Sequence, residues 1–166
     1  NRMREKLHPG SLFVDVGAAT GAMSVPFALT ETDIRVVAFE PSKRAFSYLA
    51  QTVKRNRVSP EIIQLSPVAI SSAPAILNFM ELPEDTTGST PYLPEASRIQ
   101  VKGESAYANS DTYTVEVKTL DSMADELAFD RHKNIVIKID VEGFEVDVLR
   151  GARETIKRHR PYLAID

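Results

Sequence analysis

Cysteine is absent from this 166-residue chain, which excludes a disulfide framework, a thiolate zinc site and a cysteine nucleophile. No apolar run approaches the 18 or so residues that span a bilayer. None follows the opening Asn1-Arg2-Met3-Arg4-Glu5-Lys6 either, so no signal peptide is expected. Basic charge is not in excess: 20 Lys and Arg face 23 Asp and Glu, a formal charge of −3. Nucleic acid is therefore not the expected partner, because neutralising phosphates needs a basic surface. The expectation is a soluble, cytoplasmic protein without a membrane partner. What is present is an ordinary globular composition, 43% apolar and 26% charged, enough to build one core in a single domain over residues 1–166. The chain starts without Met and stops at Asp166, inside the apolar run Tyr162-Leu163-Ala164-Ile165, and so reads as a piece of a longer one.

Strand and helix patterns alternate. Residues 11–17 read as a buried strand entering a tight turn, and residues 23–29 as a helix with Pro26 in its first turn. Residues 35–40 form a second strand. Ser42 then caps a helix whose apolar stripe is Phe46, Leu49, Ala50 and Val53. Its basic end, Lys54, Arg55 and Arg57, suits the negative pole of the helix dipole. Residues 61–65 are a third strand, and residues 75–80 a fourth, antiparallel or at an edge. Residues 82–111, rich in Pro, Ser, Thr, Glu and Gly, read as an insertion serving as lid or substrate loop. Tyr92 and Tyr107 lie within it as candidates to stack on a substrate, with loop packing the plainer role. Residues 113–117 alternate as a half-exposed strand, and Ser122 with Asp125 suggests a capping box. Residues 134–140 are the clearest buried strand, followed by one helix carrying Phe144, Val148, Leu149, Ala152 and Ile156 and ending before Pro161. Such alternation implies βαβ units: an α/β fold with a mostly parallel sheet flanked by helices, its ligand at the carboxyl ends of the strands.

Those ends carry Asp15 and the loop Gly17-Ala18-Ala19-Thr20-Gly21, then Glu40, then Asp140 and Glu142. Four carboxylates around one crevice imply a cationic or hydroxyl-rich ligand. A dinucleotide loop places a glycine where Ala19 stands, and a Walker loop is missing, since no Gly-Lys-Ser/Thr follows. Both facts count against a pyrophosphate, leaving a nicotinamide-dependent oxidoreductase as the alternative reading. S-adenosylmethionine carries a sulfonium and an ammonium and no phosphate. Asp15 is expected to take the ammonium, directly or through water, and the loop amides and the following helix start the carboxylate. Glu40, 23 residues beyond Gly17, is spaced to bond the ribose hydroxyls. Pro41 follows it at the same strand end. The adenine is expected against Ser66-Pro67-Val68-Ala69.

Four blocks carry a family resemblance: Phe13-Val14-Asp15-Val16-Gly17-Ala18-Ala19-Thr20-Gly21, Ala38-Phe39-Glu40-Pro41, Thr119-Leu120-Asp121-Ser122, and Ile137-Lys138-Ile139-Asp140-Val141-Glu142-Gly143-Phe144-Glu145. With Val148-Leu149-Arg150-Gly151-Ala152 after the last, the chain resembles the FkbM-type methyltransferases over residues 13–165. The resemblance implies a class I, Rossmann-like methyltransferase fold and S-adenosylmethionine as cofactor. It also implies a small-molecule or carbohydrate acceptor, methylated on a hydroxyl of a sugar or natural product. By that likeness Asp15, Gly17 and Gly21 belong to the methionine end and Glu40 to the ribose. Two departures stand out: Ala19 replaces the usual Asn, and the last strands of the fold are missing after Asp166.

Methyl transfer to a hydroxyl is mainly positioning, helped by a carboxylate that takes the proton. Asp140 is the first candidate base and Glu142 the second. Their plainer roles are ordering the turn or touching the ligand amine, and placing negative charge at a helix start. Asp121, Asp140 and Glu142 are oxygen donors of the kind that hold Mg²⁺, but they lack a ligand spacing, so no metal is assigned. His8, His132 and His159 are scattered and read as surface residues. A catalytically inert cofactor-binding module is a further alternative. A nucleic-acid base methylase would want an Asn/Asp-Pro-Pro-aromatic turn where Asp140-Val141-Glu142-Gly143 stands.

Overall fold

Three nearly unbroken apolar runs build the centre of the molecule, because a strand covered on both faces has no use for polar alternation. They are β1 (Ser11–Val16), β2 (Arg35–Phe39) and β8 (Asn134–Ile139); every residue of β1 is buried. With β3 (Ile63–Ser66) and β9 (Tyr162–Ile165) they form a wholly parallel sheet in the order β3-β2-β1-β8-β9. These relations come from a computed structural model that describes residues 2–30, 33–81, 90–92 and 111–166. This is the mostly parallel, helix-flanked α/β arrangement that the sequence predicts. No helix among the described residues is long and apolar enough to cross a membrane.

Alternate side chains of the strands feed two cores. Leu12, Val14 and Val16 join Val37, Phe39, Ile135, Ile137 and Ile139 on one face, under α3 (Glu145–Arg150) and α4 (Arg153–His159), with Val148 of α3 and Ala152 between the two helices buried against them. Phe13, Val36, Ala38 and Val136 face α1 (Ser24–Thr30) and α2 (Lys43–Arg55) through Val25, Phe27 and Leu49. Each of the Val, Leu, Ile and Phe side chains among these contributes roughly 1.5–3 kcal/mol when fully buried. Ser42 caps α2 as expected, its hydroxyl accepting from Ala45 N at 3.0 Å.

The strand read at residues 75–80 as antiparallel or at an edge is antiparallel: β5 (Ala75–Glu81) pairs with β7 (Asp111–Lys118) in a second sheet of order β4-β7-β5-β6, with β4 (Ala69–Ile70) and β6 (Thr90–Tyr92). Two local expectations are corrected. The helix expected as one piece from Phe144 to Ile156 divides into α3 and α4 at Gly151. There the backbone packs so closely on Ser71 that a Cβ would lie 2.0 Å from its carbonyl oxygen. The capping exchange falls between Thr119 and Ser122 rather than Ser122 and Asp125. Ser122 N donates to Thr119 Oγ1 at 2.9 Å, and Thr119 N to Ser122 Oγ at 3.2 Å. Of the segment read as a lid or substrate loop, Tyr107 and most neighbours lie outside the described residues, as does the side chain of Tyr92.

Candidate functional site

A cleft of about 540 Å³ opens at the carboxyl ends of β1, β2 and β8, within the size range of small-molecule sites. One wall is apolar and comes from the second sheet, with Ile70, Leu77, Phe79 and Val117. The rim carries Glu40, Asp140, Glu142 and Asp147, and no Lys, Arg or His belongs to the described lining. Of the residues singled out in the sequence, the cleft gathers Gly17, Ala19, Glu40, Pro41, Val68, Ala69, Asp140 and Glu142. Asp15, Ala18, Thr20 and Gly21 are not part of its lining, and Asp147 takes the place expected for Asp15 as the fourth acid.

The glycine loop is locked to the end of β2. Gly17 N and Ala18 N both donate to Phe39 O at 3.0 Å, Gly21 N to Ala18 O at 2.8 Å, and Ala19 N to Glu40 Oε2 at 2.8 Å. These four amides, expected with the following helix start to face a ligand carboxylate, are occupied within the protein, so at those positions the loop offers shape rather than free donors. Gly17 is required twice over, by its φ of +81° and by a would-be Cβ 1.9 Å from Asp140 O. Glu40 is buried, and its Oε1 accepts from Ser42 N at 2.8 Å. Each of its oxygens thus holds one backbone donor and keeps a second lone pair.

Asp15 lies beneath the loop, wholly buried. Its Oδ2 accepts from Ser24 Oγ at 2.5 Å. The parallel register sets Asp15 beside Lys138, whose Nζ stands 3.2 Å from Oδ1 as an ion pair without hydrogen-bond alignment. The same ammonium reaches Asp140 Oδ2 and Gly17 O, each at 3.2 Å. Lys138 is the residue that the sequence reading missed. The carboxylates at the strand ends are not gathered bare: Asp15, expected to take a ligand ammonium directly or through water, stands against the Lys138 ammonium in this structure. The available signal was a lysine in an otherwise apolar strand, a position that demands a partner.

After β8 the chain turns through two left-handed residues, Glu142 at φ +52° and Gly143 at φ +98°. Glu145 holds this turn, its Oε1 accepting from Gly143 N at 2.9 Å and Val141 N at 3.2 Å. Those backbone donors, Gly143 first, pull its carboxyl below the ordinary range. Glu142 points outward, exposed, from the turn so made, and the Asp140 side chain is 38% exposed above Lys138. Asp121, considered as a metal ligand, instead accepts from Thr155 N at 2.7 Å and Glu154 N at 3.0 Å, capping α4. His159 departs from the surface reading: it is only 11% exposed and stacks on Phe129 at 5.4 Å.

Burial raises the pKa of Asp15 above 3.8 and of Glu40 above 4.5, against the opposing pull of Lys138 and Ser24 on the first and of two amides on the second. A carboxyl with a higher pKa folded than unfolded contributes its full stability below the unfolded value. That contribution is lost as pH rises through the folded value. The stability of the wild type relative to Glu40→Gln, measured by urea unfolding, is therefore expected to decline as pH rises from 4.5. A difference that grows with pH contradicts the assignment.

Comparison with known proteins places this geometry. Residues 15–165 match the methyltransferase FkbM domain. The ribosomal RNA small subunit methyltransferase G of Mycolicibacterium vanbaalenii is 27% identical over 116 residues, 61% of this chain and 49% of the relative. Its counterpart from Mycobacterium leprae strain TN is 28% identical over 117 residues, 62% of this chain and 46% of the relative. The chain thus spans about half the length of these curated relatives. Among solved structures, methyltransferase FkbM from Methylobacillus flagellatus KT superposes with a TM-score of 0.56 at 20% identity. The superposition covers 98% of this chain and 35% of that one, a likeness of fold. With the family match running through nearly every residue from the glycine loop to β9, the chain belongs to the FkbM methyltransferase family.

Proposed function

We propose that this chain holds the S-adenosylmethionine site and part of the acceptor site of an O-methyltransferase acting on a hydroxyl of a sugar or natural-product-like small molecule. The observation that carries the reading is the lining of the cleft: Glu40, Asp140, Glu142 and Asp147 at the rim, apolar walls, and no cationic side chain among the described residues. Such a lining fits a sulfonium nucleoside and fits poorly a pyrophosphate, whose charge would meet four carboxylates of which only Asp140 is paired with a lysine, Lys138 behind it. S-adenosylmethionine supplies an electrophilic methyl group on positively charged sulfur. In this reading Glu40 accepts from the ribose hydroxyls with its two remaining lone pairs, and Val68 and Ala69 take the adenine. Lys138 holds Asp140 by Oδ2 while the rest of that carboxylate faces the cleft and takes the acceptor's proton. Gly17, Ala19 and Pro41 shape the wall beside these groups. Asp15, Ala18, Thr20 and Gly21 support the loop from behind, so their part in cofactor binding is indirect.

The two relatives named as ribosomal RNA methyltransferases bring forward a nucleic-acid acceptor, which the chain's charge alone argues against. The deciding experiment follows transfer of a labelled methyl group to two acceptor sets, hydroxylated small molecules including sugars, and small-subunit ribosomal RNA. Label on the small molecules is the expected result. Label on RNA alone overturns the acceptor class, and tight cofactor binding with no transfer to either set supports the inert-module reading instead.

A further inference from the structure

Glu81 ends β5, 5% exposed, in a part of the fold far from the glycine loop in sequence and assigned no role so far. Its Oε1 accepts from the Ser42 hydroxyl and from Arg44 N at 3.2 Å, and its Oε2 accepts from the Tyr113 hydroxyl at 3.2 Å. Tyr113, on β7, in turn accepts from Lys43 N at 2.8 Å and lies under the Lys43 ammonium at 4.1 Å from its ring centroid. The first three amides of α2 therefore go to Tyr113, Glu81 and the Ser42 hydroxyl. A serine hydroxyl has one proton. Ser42 can accept from Ala45 in its capping geometry because that proton is committed to Glu81. The amide of this same Ser42 fixes Glu40 Oε1, and Glu40 Oε2 takes Ala19 N.

We propose that Glu81 is a positioning residue that sets the Glu40 carboxylate through Ser42, making the second sheet a working part of the ribose side of the site. The proposal rests on reading the cleft as the S-adenosylmethionine site. Its physical content is a continuous chain of hydrogen bonds, Tyr113 to Glu81 to Ser42 to Glu40 to Ala19, linking β5 and β7 to the glycine loop. Glu81 pairs with Asp111 across β5 and β7. What binds against the second sheet and what binds at Glu40 are then linked, each altering the affinity of the other by the same factor.

The test is Glu81→Gln, which keeps the shape but removes the charge and puts an amide NH2 against a hydroxyl that also donates, that of Ser42 or that of Tyr113. In the ligand-free protein, amide hydrogen exchange at Ala19 is expected to quicken about tenfold, the equivalent of one hydrogen bond to a charged group. Affinity for S-adenosylhomocysteine falls by a similar factor, while turnover at saturating cofactor stays within about twofold. Faster exchange confined to residues 43–45, with Ala19 unchanged, makes Glu81 a helix cap only and overturns the proposal. Tyr113→Phe removes a donor to Glu81 without altering its charge and is expected to shift Ala19 in the same direction by less. Should Glu81→Gln not fold, an unchanged Ala19 in Tyr113→Phe overturns the proposal by itself. A wild type that ignores S-adenosylhomocysteine defeats the cofactor reading, and the exchange at Ala19 still decides whether Glu81 sets Glu40.

Discussion

Asp140→Asn is expected to slow methyl transfer by roughly 10²–10⁴-fold, the usual weight of a general acid–base group, while cofactor affinity changes less than tenfold. Asp140 has the position for this. Its backbone N–H is tied to Val16 O at 3.0 Å, which fixes it at the end of β8 beside the glycine loop. Its side chain lines the cleft and is held on one oxygen by Lys138. Asparagine keeps the volume and loses the ability to take a proton. The fold should tolerate the change, because Lys138 retains Asp15 at 3.2 Å and the Gly17 carbonyl at 3.2 Å, so no buried charge is stranded. Single-turnover rates and calorimetric affinities on the same preparation separate the roles. Equal losses in rate and affinity would assign Asp140 to cofactor binding and leave Glu142, on its left-handed turn, as the candidate base.

Gly17→Ala is expected to be the most damaging glycine substitution at the site, costing about 3 kcal/mol or more and removing cofactor binding with it. A Cβ there would lie 1.9 Å from the Asp140 carbonyl oxygen and 3.2 Å from Val141, so the loop and the end of β8 must part. The left-handed φ of +81° adds strain of its own. Gly143 supplies the control. Its φ is +98°, but nothing lies within 4 Å of a would-be Cβ, so Gly143→Ala carries the backbone term alone, roughly 1–2 kcal/mol. Urea unfolding of the two variants tests the distinction. Equal destabilisation would mean that the approach of Gly17 to Asp140 is not a constraint.

The parallel sheet was legible in the sequence because its strands are short, apolar and each followed by a recognisable punctuation: Gly17 after β1, Glu40 and the Ser42 cap after β2, Asp140 and Gly143 after β8. Pairing in a βαβ unit follows from chain order and handedness, so reading the elements nearly fixes the topology. The second sheet was not legible for the converse reason. β5 and β7 pair across a long intervening stretch, and no local pattern announces which distant strand Ala75–Glu81 will meet. The split of the last helix pair depends on Ser71 packing against Gly151, a contact between segments 80 residues apart.

At the site, side-chain identities at the strand ends were enough to bring Glu40, Asp140 and Glu142 to one cleft. They were not enough to tell Asp15 from the rest. Asp15 and Lys138 point to the opposite face of the sheet from Val16 and Ile139, a consequence of the two-residue period of a strand that follows only once the register is known. The burial of Glu81 against Ser42 was hidden for the same reason as β5 itself.

Calorimetric titration with S-adenosylhomocysteine and with NAD is the most direct test of the central claim, that this acid-rimmed hollow receives a nucleoside bearing sulfur and no phosphate. The account predicts one-to-one heat with the first and none with the second. Saturable binding of NAD, with no response to S-adenosylhomocysteine, would contradict it.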